Sequence, residues 1–217
     1  MTKVIKYPTR KDKLVLLQSF MNLETEVVSK SIFTAEKALY MKARKIKILR
    51  RELINCTKCK ELNVKAFSEV VPGWGSLDAE IFFIGTSPGT PCMATQIPFS
   101  GGSGFHIDAA LRLSGLTCMD IFISNIIHCH PPRNRMPAKR EIPHCIDYLR
   151  QEIDIVEPKL IITLGTCAKE AALQYKLANK KLHKLYSIRH PASFLHGGPL
   201  GSKDWVLALS KEMDRVL

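Results

Sequence analysis

No apolar run in this 217-residue chain approaches the roughly 18 residues that a membrane span requires. The longest, around Ile81–Ile84, is the size of a strand, so no membrane partner is expected. The opening residues, MTKVIKYPTRKDK, lack the apolar core and small-residue cleavage site of a secretory signal, and a cytosolic (cytoplasmic) protein is the expectation. Internal repeats and low-complexity segments are absent too. Acid is scarce: 20 Asp and Glu stand against 32 Lys and Arg, a net charge of +12. What remains is an ordinary globular balance, 46% hydrophobic and 24% charged, in a chain long enough for one domain with a sizeable core plus an extension.

The basic excess is uneven. Residues 1–65 hold 16 Lys and Arg against 6 Asp and Glu, whereas the remaining residues hold 16 against 14. A polyanion such as DNA is the partner that this charge suits, the alternative being a well-solvated helix face. From about Glu24 to Ile54 apolar residues recur at steps of four and three (Val28, Ile32, Ala35, Leu39, Ile46, Leu49, Leu53), the pattern of one helical face, with Lys42 interrupting it. Lys30, Lys37, Arg44 and Arg51 fall largely on the other side. Residues 1–53 therefore read as a basic, largely helical extension, with Lys42 and Arg44 as candidate phosphate contacts. Residues 54–217 read as the main domain.

In that domain the texture changes to short apolar runs alternating with helical stretches. Ala79–Gly85, Asp120–Ile127, Lys159–Gly165 and Leu185–Arg189 are the strand candidates. Gly104–Ser114, Pro137–Val156, Cys167–Tyr175 and Ser202–Val216 are the helix candidates. Strands that read as continuous apolar runs, separated by helices, predict a three-layer α/β/α fold around a mostly parallel, four-stranded sheet. In such sheets ligands bind beyond the carboxyl ends of the strands. Here those ends deliver Gly85–Gly89, Asn125–His130, Gly165–Cys167 and His190–Leu195, segments rich in polar, Gly and Pro residues.

Seven cysteines, an odd number in a chain of this length, do not read as a secreted disulfide framework. Cys56 and Cys59 form a C-x-x-C after the helix, and Cys129 and Cys145 form a wider second pair. Four thiolates that converge would suit zinc or an iron–sulfur cluster, and spacing alone leaves open either metal or no metal at all. Cys92, Cys118 and Cys167 have no partner at ligand spacing and read as buried apolar residues.

The motifs, in order, resemble those of the family 4 (iron–sulfur) branch of the uracil-DNA glycosylase superfamily. The resemblance covers about Ile54 to Gly198. Cys56-x-x-Cys59 is followed by Val71-Pro72-Gly73-Trp74-Gly75, similar to the family's V-x-G-x-G. Gly85-Thr86-Ser87-Pro88-Gly89 stands where the family has G-E-A-P-G, and Pro98-Phe99-Ser100-Gly101 where it has P-F-V-G. Ser124-Asn125 with Cys129-His130-Pro131-Pro132-Arg133-Asn134-Arg135, then Glu141 and Cys145, then Leu164-Gly165 and His190-Pro191-Ala192-Ser193, continue in register.

The resemblance implies that Cys56, Cys59, Cys129 and Cys145 bind a structural [4Fe-4S] cluster. It implies a glycosylase that flips uracil, or a related pyrimidine, out of uracil-containing or single-stranded DNA and hydrolyses its N-glycosidic bond in base-excision repair. Phe99 would stack on the base and Asn125 would read its edge, within a pocket also built from Gly85, Pro88 and Gly89. His190 would donate toward the uracil carbonyl as negative charge develops. Ser193, Phe194 and Leu195 would meet the DNA, the last two as a wedge. Without the motif, Phe99 reads as plain core, Asn125 as a loop cap and His190 as a turn residue. One departure matters: the family's water-orienting glutamate is Thr86 here, followed by Ser87, and neither hydroxyl is a strong base. That leaves open a weakened or silent relative that binds DNA or a flipped base.

Overall fold

The computed structural model describes residues 26–179, 182–194 and 200–217, with side chains in the helices at either end described from 34 and from 202. The chain divides into two compact units, Met1–Met41 and Lys42–Leu217. All that follows concerns the second.

Helix α1 (Glu26–Ile54) enters this unit with Ile46, Leu49 and Leu53 buried, one turn apart as the stripe requires. Val28 and Ile32 of the same stripe lie outside the described side chains. The described residues then form β1 (Trp74–Gly75), β2 (Ile81–Gly85), α2 (Thr90–Thr95), α3 (Gly102–Leu113), β3 (Phe122–Asn125), α4 (Ile142–Val156), β4 (Leu160–Leu164), α5 (Thr166–Gln174), β5 (Lys184–Ile188) and α6 (Leu200–Asp214). The sheet order is β1-β3-β2-β4-β5; β1 alone runs antiparallel, and the other pairs are parallel. The sheet thus has five strands rather than the expected four. The extra one is two residues long, too short to leave a sequence pattern, and exists because Trp74 and Gly75 pair with Ile123 and Phe122.

Strand side chains alternate between faces. Phe82 and Ile84 join the buried cluster with Leu49, Leu53, Ile146, Leu149 and Ala168, the layer of α1, α4 and α5. Ile81 and Phe83 join Ile107, Leu111, Trp205 and Leu209, the layer of α3 and α6. Three layers with both sheet faces covered explain why the central strands are uninterrupted apolar runs. No helix among the described residues is long and apolar enough to cross a membrane.

Of the unpaired cysteines, Cys92 is buried as expected, but Cys118 is exposed and Cys167 only half-buried. Lys42, read as a phosphate contact, has a structural role instead. Its ammonium lies 3.2 Å from Asp78 Oδ1 and 3.3 Å from Glu157 Oε2, and it donates to the carbonyls of Leu77 and Val156. Its side chain is 18% exposed and its charge is compensated by two carboxylates, so the phosphate reading passes to its neighbours Arg44, Lys47 and Arg51, which are exposed.

Candidate active site and cysteine centre

The parallel register sets Gly85 opposite Asn125 at the carboxyl ends of β2 and β3. Two backbone bonds continue the pairing past the strands: Ile126 N–H donates to Gly85 O at 2.9 Å and Ile127 N–H to Thr86 O at 3.2 Å. His130 Nδ1–H donates to Pro88 O at 2.9 Å and pins the far end of the Gly85–Gly89 turn. Pro88 is buried, Thr86 and Ser87 are half-buried, and Gly89 is the N-cap of α2.

Gly85 admits no side chain. A methyl group there would overlap Asn125 Oδ1 and come within 2.5 Å of the Phe99 ring. Phe99 is held at φ +59, the left-handed region that a bulky residue adopts only when its surroundings fix it. Its carbonyl packs against Gly104, where a Cβ would overlap it, so the first turn of α3 determines where the ring points. Across the site the His190 ring stacks on Phe99, with centroids 5.8 Å apart and planes 29° from parallel. Gly165, at φ +90, lets β4 turn into α5 with His190 Cβ close above it. Gly85, Asn125, Phe99 and His190 are thus brought into one place.

Asn125 is 1% exposed, and neither its Nδ2 nor its Oδ1 has a hydrogen-bond partner among the described residues. Leaving a buried amide unpaired costs about 1–3 kcal/mol per group, so such a group marks a place for a ligand.

His190 is shaped for one proton state. Ala192 N–H donates to its Nδ1 at 3.1 Å, which makes Nδ1 an acceptor and leaves the proton on Nε2. Burial lowers its pKa below the ordinary histidine value, so the ring stays neutral. The Ser193 hydroxyl and N–H both bond His190 O, at 2.8 and 3.1 Å, and Trp205 Nε1–H donates to Arg189 O at 2.7 Å. Phe194, expected as a free wedge, packs edge-on to Trp205 and His106 at centroid distances of 6.3 and 6.1 Å. Leu195 lies outside the described residues. A groove of about 390 Å³ beside His190 is lined by Gly165, Thr166, Lys169, Ser187 and Arg189.

Thr86 lies near the Cys167 thiol. Burial pushes that thiol's pKa up, Glu170 adds to the rise, and Thr86 opposes it. No carboxylate takes the position that the resemblance assigns to a glutamate, which is Thr86 itself.

The four candidate ligand cysteines also converge, from the end of α1, the turn after it, the loop after β3 and the first turn of α4. Burial raises the Cys129 pKa well above the ordinary thiol range, and Cys145, Cys56 and Cys59 raise it further. Cys59 is pushed up to about 11 by burial, then by Cys145, Glu141 and Cys56. Thiols that disfavour one another's ionisation become thiolates together only around a compensating cation. Yet among the described residues no three Cys, His, Asp or Glu side chains stand as they would around a single ion. Arg135 and Glu141 make a two-pronged bridge, at 2.9 and 2.6 Å, that holds the Pro131–Arg135 segment against α4. That bridge keeps the Glu141 carboxyl below its ordinary range.

Sequence reasoning missed a group behind the site. Glu152 and His128 are both fully buried. Glu152 accepts from Ser124 Oγ at 2.5 Å, Gly73 N–H at 2.9 Å and His128 Nε2 at 3.1 Å. Burial opposes charging His128, but the Glu152 carboxylate and the neighbouring Cys145 overcome this and raise its pKa. Ser124 precedes Asn125 and points to the opposite face, so this carboxylate holds β3 from behind the pocket.

A sequence profile described as the uracil DNA glycosylase superfamily matches residues 72–210. The type-4 uracil-DNA glycosylase of Archaeoglobus fulgidus is 31% identical over 163 residues, 67% of this chain and 81% of that protein. That of Thermotoga maritima is 32% identical over 159 residues, covering 73% of this chain and 80% of its own length. That of Sulfurisphaera tokodaii is 39% identical over 118 residues, 54% of this chain and 53% of the relative.

Proposed function

The chain belongs to the uracil-DNA glycosylase superfamily and to its type-4 branch, and from that premise we propose that it flips uracil out of DNA and hydrolyses the bond between base and sugar. The observation that carries this reading is the buried, unpartnered amide of Asn125 facing the Phe99 ring. A flipped uracil offers a carbonyl acceptor and an N3–H donor on one edge, which together satisfy an amide's donor and acceptor. Cytosine offers the reverse pattern. Phe99 supplies the face on which the base stacks.

Cleavage breaks the bond from uracil N1 to the anomeric carbon and leaves the electron pair on the base. Water adds its oxygen to that carbon, and its proton balances the departing uracil anion. The neutral His190 is suited to donate from Nε2 to the uracil oxygen where that charge accumulates. Thr86 and Ser87 can hold a water by hydrogen bonding but do not deprotonate it, so the reaction leans on leaving-group stabilisation more than on base catalysis. Exposed Arg44, Lys47 and Arg51, with Lys169 and Arg189 in the groove, suit contacts to phosphates.

Cys56, Cys59, Cys129 and Cys145 suit a [4Fe-4S] cluster: all four are unpaired thiols, Cys129 feels the charge of the other three, and Cys59 feels that of Cys145 and Cys56. The cluster would act structurally, fastening the loop after β3 to α1 and α4. Purified protein should be brown, absorb near roughly 400 nm and hold about four irons per chain. Cys129→Ala should lose iron and stability together, whereas a colourless protein with one stoichiometric zinc would overturn the assignment.

The reading of Asn125 is tested by selectivity. Asn125→Ala should lower uracil excision by roughly 10- to 100-fold, the equivalent of about 1–3 kcal/mol of lost pairing, and narrow the ratio of uracil to cytosine cleavage. An unchanged ratio would show that the base edge is read elsewhere.

A further inference from the structure

Phe105, in the first turn of α3, is 74% exposed, more than any other large apolar side chain reported among the described residues. An exposed phenyl ring gains nothing from the core, and a single one on a surface needs no explanation. This ring, however, is not isolated. It stands edge-on to His106, with centroids 6.0 Å apart and planes at 77°. His106 in turn meets Phe194 at 6.1 Å and the buried Trp205 at 6.4 Å. The Arg189 guanidinium lies 6.0 Å from the Phe194 ring centre. A string of rings therefore runs from an open face at Phe105 to the turn that carries His190. The Phe105 end is also tied to the pocket, because the adjacent Gly104 packs closely on the Phe99 carbonyl.

We infer that Phe105 is a stacking platform for an unpaired nucleobase adjacent to the flipped uracil, making single-stranded DNA the preferred form of the substrate. The inference rests on the glycosylase reading and adds to it a binding site and a strand preference. Two observations select a nucleobase over other occupants. The platform is continuous with a pocket already shaped for a base. Lys169 and Arg189 line the adjoining groove of about 390 Å³, where a phosphodiester backbone would run. Bases in a duplex are stacked on each other and offer only edges, whereas an unpaired base offers the face that an exposed ring takes up.

The test uses the full-length protein and an oligonucleotide carrying one 2′-fluoro-deoxyuridine, which resists cleavage, with 2-aminopurine beside it, in single-stranded and duplex form. Stacking on an aromatic side chain corresponds to roughly 5- to 150-fold in affinity per base. Phe105→Ala should weaken single-strand binding by a factor in that range, leave duplex binding within about twofold, and relieve quenching of the 2-aminopurine. Phe105→Trp should restore single-strand affinity. Because the side chain is exposed, both variants should melt as the wild type does, which separates a lost platform from a lost fold. Equal single-strand affinity in Phe105→Ala and wild type, or equal losses on both forms, would overturn the platform; so would a Phe105-dependent protein partner with no DNA effect. If wild type excises uracil while Phe105→Ala binds normally, the platform fails and the glycosylase reading stands. If single-strand binding depends on Phe105 but no uracil is released, the reverse holds.

Discussion

Glu152→Ala should destabilise the protein by about 3–5 kcal/mol, seen as a lower denaturant midpoint at unchanged slope. The carboxylate is fully buried with three donors aimed at it: the Ser124 hydroxyl, the Gly73 N–H and the His128 ring. Removing it strands all three donors and takes away the carboxylate that favours the charged form of His128. Glu152→Gln keeps one acceptor oxygen where Glu152 offers one to Gly73 and another to Ser124 and His128, so it should lose less than the alanine variant but more than nothing. Because Ser124 adjoins Asn125, the glutamine variant should also discriminate uracil from cytosine less well than wild type. A loss below about 1 kcal/mol in the alanine variant would mean that the network contributes little to the fold.

His190→Ala should lower uracil excision by about 10²- to 10³-fold, the range typical of removing one donor from a developing anion. The effect should fall mainly on the chemical step, with binding of a non-cleavable strand little changed. The pH profile carries a second signature. Burial depresses the His190 pKa, so the neutral ring should persist below the range in which free histidine titrates. Activity should be flat through neutrality and fall on the acid side, as a proton arriving at Nδ1 confronts the Ala192 N–H. Stability follows the same sign. A folded-state pKa below the unfolded one contributes stability above the unfolded value, and that contribution is lost as pH falls. An excision rate that rises as the ring is protonated would contradict the assigned tautomer.

Much of this architecture was legible because fully buried parallel strands carry their signature locally, as unbroken apolar runs such as Ile81–Ile84 and Leu160–Leu164. The two-residue β1 left no such trace. Helix α2 is not among the helix candidates although Gly89 and Pro91 stand at its start, because six residues are too few to show a helical period. At the site, the motifs single out Phe99, Asn125 and His190; Asn125 and His190 stand just at or past strand ends of one sheet, and Phe99 reaches them from the turn before α3. Lys42 was misread because its carboxylate partners, Asp78 and Glu157, are distant in sequence and nothing local announces them. The Glu152–His128–Ser124 network and the exposed ring of Phe105 were hidden for the same reason. Burial and pairing across many residues are properties of the fold, not of any window of sequence.

The central claim is tested most directly by incubating the full-length protein with a single-stranded oligonucleotide bearing one uracil, and with the same strand bearing cytosine there, followed by alkaline cleavage of abasic sites. Strand scission at uracil alone, strongly reduced in His190→Ala, is the predicted result. An intact uracil strand after prolonged incubation with protein that binds it would contradict the account, and would leave a fold with a base-reading pocket but no glycosidic hydrolysis.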